Sequence, residues 1–208
     1  MTPIIYFENA WQRCDELRTV HVYLAGTVTG ALSTDELLRS EWVARVSALD
    51  LFVHELVEQK MMAIFEGRRP TCPGYSRFSC KTETLHRVHN AKNLTEASAA
   101  FNLEIRTTLG RITFQMPNDI ADGVRMVSSC ELWKEIAMRR GVTGAAVETL
   151  ASSLKKDLSL IVLRRNKIAH EGDLLPTVPR TPWSITRADV DVAAALIRGI
   201  VDDIDAIV

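Results

Sequence analysis

The segment from Ser33 to about Phe65 limits the possible folds more than any other stretch of this chain. Ser33 and Glu36 stand three apart at its head, the spacing of a capping box in which hydroxyl and carboxylate each satisfy a backbone N–H. Gly67 and Pro70 lie just beyond its far end, where helices stop. Between these signals Val43, Val46, Val53 and Val57 share one face at helical spacing, which predicts a single long amphipathic helix. Asp50 falls on that same stripe, three before Val53 and four after Val46. A carboxylate in that register must be paired, or must stand where the helices part. His54 lies one turn further along, where it either joins the Asp50 network or is a satisfied histidine between helices.

A second long helix is predicted from about Gly144 or Ala145 to His170, with Leu154, Leu158, Ile161 and Ile168 as its apolar stripe. Arg165 falls on that stripe. A guanidinium keeps its charge when buried, so it must reach water or find a carboxylate, a carbonyl or a phosphate. Asp50 is the expected partner, because each residue is the ionic exception on its own apolar stripe. Asn166 and His170 are four apart on an adjoining face, a spacing at which the amide can orient the imidazole. His170 follows Arg165 by five residues, about 140° round and roughly 7.5 Å along an ideal helix. Arg164 and Lys167, with Lys155 and Lys156 upstream, add local positive charge. The same residues also suit an ordinary helix end, since cations answer the negative end of the macrodipole and Gly172 is a good terminating residue.

Arg165, Asn166 and His170 together resemble the Arg-x4-His signature of the HEPN superfamily, with a polar residue after the arginine and a helix end soon after the histidine. The helix from Leu37 to Leu56 is similar to the second helix of the RiboL-PSP branch of that superfamily. The likeness covers roughly residues 33–58 and 150–208 and leaves the middle of the chain unmatched. It implies an all-α fold: a HEPN-like up-and-down bundle with additional short helices inserted in the middle of the chain. It also implies a metal-independent endoribonuclease without cofactor, acting by 2′-hydroxyl attack to leave 2′,3′-cyclic phosphate ends. The site implied is composite, shared across a homodimer interface. On this resemblance Arg165 and His170 are catalytic, Asn166 orients His170 or contacts phosphate, Asp50 and His54 support Arg165, and Arg164 and Lys167 bind RNA. The superfamily includes toxins, phage-defence effectors and RNA-processing enzymes, so a toxin or defence role with an antitoxin or defence-system partner protein is expected. The alternative is a non-catalytic interaction or RNA-binding module, because some members have lost activity.

Composition bounds the rest. The 208 residues are 47% apolar and 25% charged, enough for one sizeable core, so a single domain over 1–208 is expected, with 68–140 as an elaboration on the bundle. The net charge of -1 gives no global attraction to nucleic acid, and RNA contacts must come from local clusters. A first helix is predicted from Ile4 to Leu24, ended by Gly26, followed by a loop over Thr27–Leu32. Pro70, Pro73 and Gly74 make Arg68–Lys81 irregular. Short helices follow at Thr82–Ala91, Leu94–Leu109, Asn118–Met126 and Glu131–Arg140, with Ser128 and Glu131 as a capping pair for the last of these. Thr186 and Asp189 resemble a cap for the final helix. Cys14, Cys72, Cys80 and Cys130 lack zinc spacing, even with His86 and His89 nearby, so no metal site is expected. Without a leader segment or an apolar run of membrane-spanning length, the expectation is a reduced, cytoplasmic protein with no membrane contact.

Overall fold

A computed structural model describes residues 1–27 and 33–208 of the chain. The described residues form nine helices and no strand: α1 (Pro3–Thr27), α2 (Asp35–Phe65), α3 (Pro73–Ser76), α4 (Thr82–His89), α5 (Leu94–Leu109), α6 (Pro117–Arg125), α7 (Leu132–Arg139), α8 (Ala145–Glu171) and α9 (Arg187–Ile207). The all-α expectation holds. Helix α1 runs past Gly26 to Thr27, and the rest of the predicted Thr27–Leu32 loop lies outside the described residues.

Helix α2 is the central strut. Its apolar residues Val46, Leu49, Phe52, Val53, Leu56, Val57 and Met61 are all buried, and they point to more than one side of the helix. A helix buried nearly all round needs neighbours on every side. Helix α1 lies along one flank, and α5, α6, α8 and α9 pack on the others. The remaining polar positions of α2 that go inside are paired, as Glu41 is with Arg45 at 2.8 Å and with Arg18 at 2.7 Å.

The middle of the chain belongs to this same core rather than resting on a finished bundle. Phe101, Ile105 and Leu109 from α5, Ile120 and Val124 from α6, and Leu132, Trp133 and Ile136 from α7 join the cluster built on α2, α8 and α9. Burying side chains of this size stabilises by about 1.5–3 kcal/mol each, which makes the middle a full contributor to the fold.

Of the three caps expected, one forms. Thr186 and Asp189 make a reciprocal box at the head of α9, with the Asp189 amide donating to Thr186 Oγ1 at 3.2 Å and the Thr186 amide to Asp189 Oδ2 at 2.8 Å. The Ser33–Glu36 box does not form: Thr34 holds the cap position without a side-chain bond. The Glu36 carboxylate turns instead to Arg39, at 2.8 Å, because a full positive charge outcompetes a backbone N–H. Ser128 Oγ accepts from Cys130 N at 3.2 Å, so the Ser128–Glu131 pair does not cap α7 either.

Candidate active site

Helix α8 ends because Gly172 adopts the left-handed conformation, φ 66°, and Asp173 follows it there at φ 53°. The Asp173 amide donates to Lys167 O at 3.0 Å, which folds the chain back along the last turn. That reversal carries the Asp173 carboxylate inside, where it is 1% exposed. It accepts from Arg39 Nε of α2 at 3.1 Å and from Arg164 Nη2 of α8 at 3.2 Å. Arg39 also donates to Trp183 O at 2.6 Å, Trp183 N donates to Asp173 O at 2.7 Å, and Arg164 donates to Ser184 O at 2.8 Å. A buried carboxylate thus ties the end of α8, the head of α2 and residues 183–184 into one unit.

Arg164 is therefore not available to RNA as the sequence suggested. Its guanidinium lies between two indoles, 5.3 Å from the Trp42 ring and 5.9 Å from the Trp183 ring, with its charge spent on Asp173. Trp42 is itself fixed by donating from Nε1 to Ile161 O at 3.0 Å.

Arg165, its neighbour, is different. Its Nη1 donates to Asn166 Oδ1 at 3.0 Å, and its buried Nε, like that of Arg164, has no acceptor, but no carboxylate takes up its charge as Asp173 does for Arg164. No carboxylate pairs with it among the described residues, whereas the buried Arg39 and Arg45 both have carboxylate partners. A guanidinium presents donors in a fixed fork, and leaving them unmet inside a protein is costly. Arg165 is the half-buried arginine of α8 that lacks a carboxylate partner among the described residues.

Asp50 does not supply that anion, which corrects the pairing expected from the sequence. Its carboxylate accepts from Phe114 N at 2.6 Å and Gln115 Nε2 at 3.0 Å, and lies 3.3 Å from His54 Nδ1. The segment between α5 and α6 is not helical, so its N–H groups need partners, and Asp50 provides one. His54 Nε2 lies 3.2 Å from Leu109 O, and its ring packs 4.7 Å from that of Phe114. Burial would lower the His54 pKa, yet the Asp50 carboxylate and carbonyl and the Leu109 carbonyl outweigh it and raise the value to about 9. Burial likewise raises Asp50, but hydrogen bonds from His54, Gln115 and Phe114 hold it below the ordinary value. His54 is thus a satisfied histidine between helices, and the pair clasps α2 to the α5–α6 connection, apart from Arg165.

Asn166 uses its amide oxygen on Arg165, so it positions the guanidinium rather than the imidazole. His170 is exposed in the last turn of α8, and Lys167 is exposed one turn before it. Lys167 and His170 lie on the outward side of the helix and Asn166 at its half-buried edge, while Arg165 lies on the inner side, about 140° round from His170. Leu160 and Leu163, 56% and 51% exposed, continue that outward side toward the helix start. Lys155 is half-buried and Lys156 exposed, with no ion pair to either among the described residues. Asp173, Arg39 and Trp183 are the residues that sequence reading missed. Asp173 alone left a signal, as an acid directly after the helix-ending glycine.

The arrangement offers an exposed imidazole in the last turn of α8 and, five residues earlier on the inner side of the same helix, a half-buried guanidinium with no carboxylate partner among the described residues. That combination suits an anionic ligand from which or to which a proton moves. Among the described residues no helix is long and apolar enough to cross a membrane.

A family model described as RiboL-PSP-HEPN matches residues 12–208, and so includes the middle of the chain that the motif likeness left out. Such a match points to an RNA-related or nuclease function. No curated protein and no solved structure matches the chain.

Proposed function

Because the chain belongs to the RiboL-PSP-HEPN family, we propose that it is a metal-independent endoribonuclease acting as a homodimer, with Arg165 and His170 of each protomer at a shared site. One observation carries the reading: Arg165 is half-buried, and no carboxylate among the described residues answers its charge. A phosphodiester supplies the missing anion, and its non-bridging oxygens match the guanidinium fork.

Cleavage needs a base at the 2′-hydroxyl, an acid at the departing 5′-oxygen and positive charge where the pentacoordinate phosphorus forms. His170 of one protomer takes the 2′-hydroxyl proton as that oxygen bonds to phosphorus. The phosphorus–5′-oxygen bond breaks, and His170 of the partner subunit gives its proton to the leaving oxygen. The products are a 2′,3′-cyclic phosphate and a 5′-hydroxyl. Arg165 neutralises the charge on the phosphoryl oxygens, and Asn166 holds Arg165 in place. Leu160 and Leu163 support the dimer, because two large apolar side chains left open on the outward side of α8 gain from cover by a second copy. Lys167 adds a surface cation beside the histidine for RNA.

Identification of the ends tests this directly. RNA cut in excess chelator is expected to carry 3′ ends that resist phosphatase until mild acid opens a cyclic phosphate. Cuts that vanish in chelator, or that leave free 3′-hydroxyls, overturn the mechanism. A toxin or defence role adds one expectation: growth arrest on expression that His170→Ala relieves.

A further inference from the structure

We infer that Trp183 is a stacking platform for an unpaired base of the RNA, positioned at the flank of the phosphate that His170 addresses. The inference rests on the ribonuclease reading and narrows its substrate to RNA with unpaired bases near the cut.

The backbone of Trp183 is clamped on both sides. Its N–H donates to Asp173 O at 2.7 Å and its carbonyl accepts from Arg39 at 2.6 Å, both groups belonging to the buried knot behind α8. Next along the chain, Ser184 O is held by Arg164 and Ile185 enters the core. A residue this firmly fixed, between anchors this deep, would ordinarily tuck its indole inside, since an aromatic side chain gains much by burial. Instead the residue is 41% exposed, whereas Trp42 and Trp133 are each 7% exposed.

What surrounds the open ring is cationic. Arg164 Cζ, already committed to Asp173, lies 5.9 Å from the ring centre, and Lys167 Nζ, with no carboxylate partner among the described residues, lies 5.8 Å from it, so Lys167 is the cation open to a phosphate. Lys167 and His170 are three apart in α8, neighbours on its surface and about 4.5 Å apart along its axis. The indole, the ammonium and the imidazole therefore follow one another along the outward side of the helix end. A rigid aromatic flanked by positive charge is the combination that holds single-stranded nucleic acid, with the base stacking on the ring and the backbone on the cations. A base paired in a duplex has no free face to offer, so the platform selects unpaired RNA.

Binding is measured on the His170→Ala protein, which leaves the RNA intact. A short oligouridylate is expected to quench tryptophan fluorescence, and a GC-rich RNA duplex is not. Trp183→Leu is expected to weaken oligouridylate binding about 5- to 150-fold, the span that stacking of one base covers. Trp183→Phe is expected to lose the quenching yet keep most of the affinity, which a merely structural tryptophan would not do. Oligouridylate bound equally well by Trp183→Leu overturns the platform alone and leaves the nuclease reading standing. Quenching that follows protein concentration in the absence of RNA also overturns it, and assigns the ring to a second copy of the chain. An intact, folded His170→Ala protein that binds no RNA removes the nuclease reading along with the platform.

Discussion

Arg39 and Asp173 stand 134 positions apart in sequence, yet the Arg39 Nε lies 3.1 Å from an Asp173 carboxylate oxygen, and both residues are buried. This contact ties the head of the longest helix to the tail of the helix that carries the candidate chemistry. Its value shows best when one partner is taken away, because the charges left behind stay buried. Asp173→Ala leaves Arg164 without a carboxylate and Arg39 with only the exposed Glu36, and is expected to cost about 3–5 kcal/mol. For a chain of this size that lowers the melting temperature by about 6–20 °C. Glu36→Ala, which removes an exposed partner of the same Arg39, is expected to change stability by less than about 1 kcal/mol. Thermal melts of the two variants check the contrast.

The clasp between Asp50 and His54 gives the fold a pH dependence. His54 titrates near 9 in the folded chain against an ordinary 6.5, so its contribution is complete below 6.5 and is lost as pH rises through about 9. Asp50 is lowered, so its contribution is present above its ordinary 3.8 and is lost as pH falls through its folded value. Urea midpoints of the wild type are expected to fall between about pH 6.5 and 9 relative to those of His54→Gln. Parallel curves across that range would show that the ring holds its proton no more tightly in the folded protein than in the unfolded one.

Arg164 and Lys167 separate structure from binding. Arg164→Ala is expected to destabilise the fold by removing a partner of buried Asp173. Lys167→Glu touches only an exposed cation. It is expected to leave the melting temperature nearly unchanged while weakening RNA binding and lowering the salt dependence by roughly one counterion. Salt titrations of RNA affinity alongside melts distinguish the two, and a lysine variant that unfolds the protein would contradict the assignment.

Local signals were legible where the deciding contacts are local. The bounds Leu94–Leu109 of α5, the end of α2 at Phe65 and the Thr186–Asp189 box all follow from residues a few positions apart. The Ser33–Glu36 box failed because Arg39, one turn further on, took the carboxylate. Helical periodicity also put Arg165 on the buried stripe of α8, which its sheltered Nε bears out. Its missing partner was not legible. Asp50 looked suitable by register, but the non-helical turn at Phe114 and Gln115 claimed it from 64 and 65 positions away. Nor does periodicity announce that Gly172 and Asp173 turn the chain back to deliver a carboxylate to Arg164 instead of Arg165. Trp183 reads in sequence as part of a proline-bearing connection, and only the two backbone anchors reveal that it is held in place.

The central claim is that an unanswered guanidinium and a surface imidazole at the end of α8 break RNA. It is tested most directly by incubating RNA in chelator with the wild type, Arg165→Ala and His170→Ala, each first checked for an unchanged melt. The expected result is cutting by the wild type, with loss of at least 100-fold in rate for His170→Ala, in line with removal of a general acid–base group. A comparable loss is expected for Arg165→Ala, in line with removal of a charge-stabilising donor. Undiminished cutting by either folded variant would contradict the assignment of that residue, and undiminished cutting by both would move the chemistry elsewhere in the molecule.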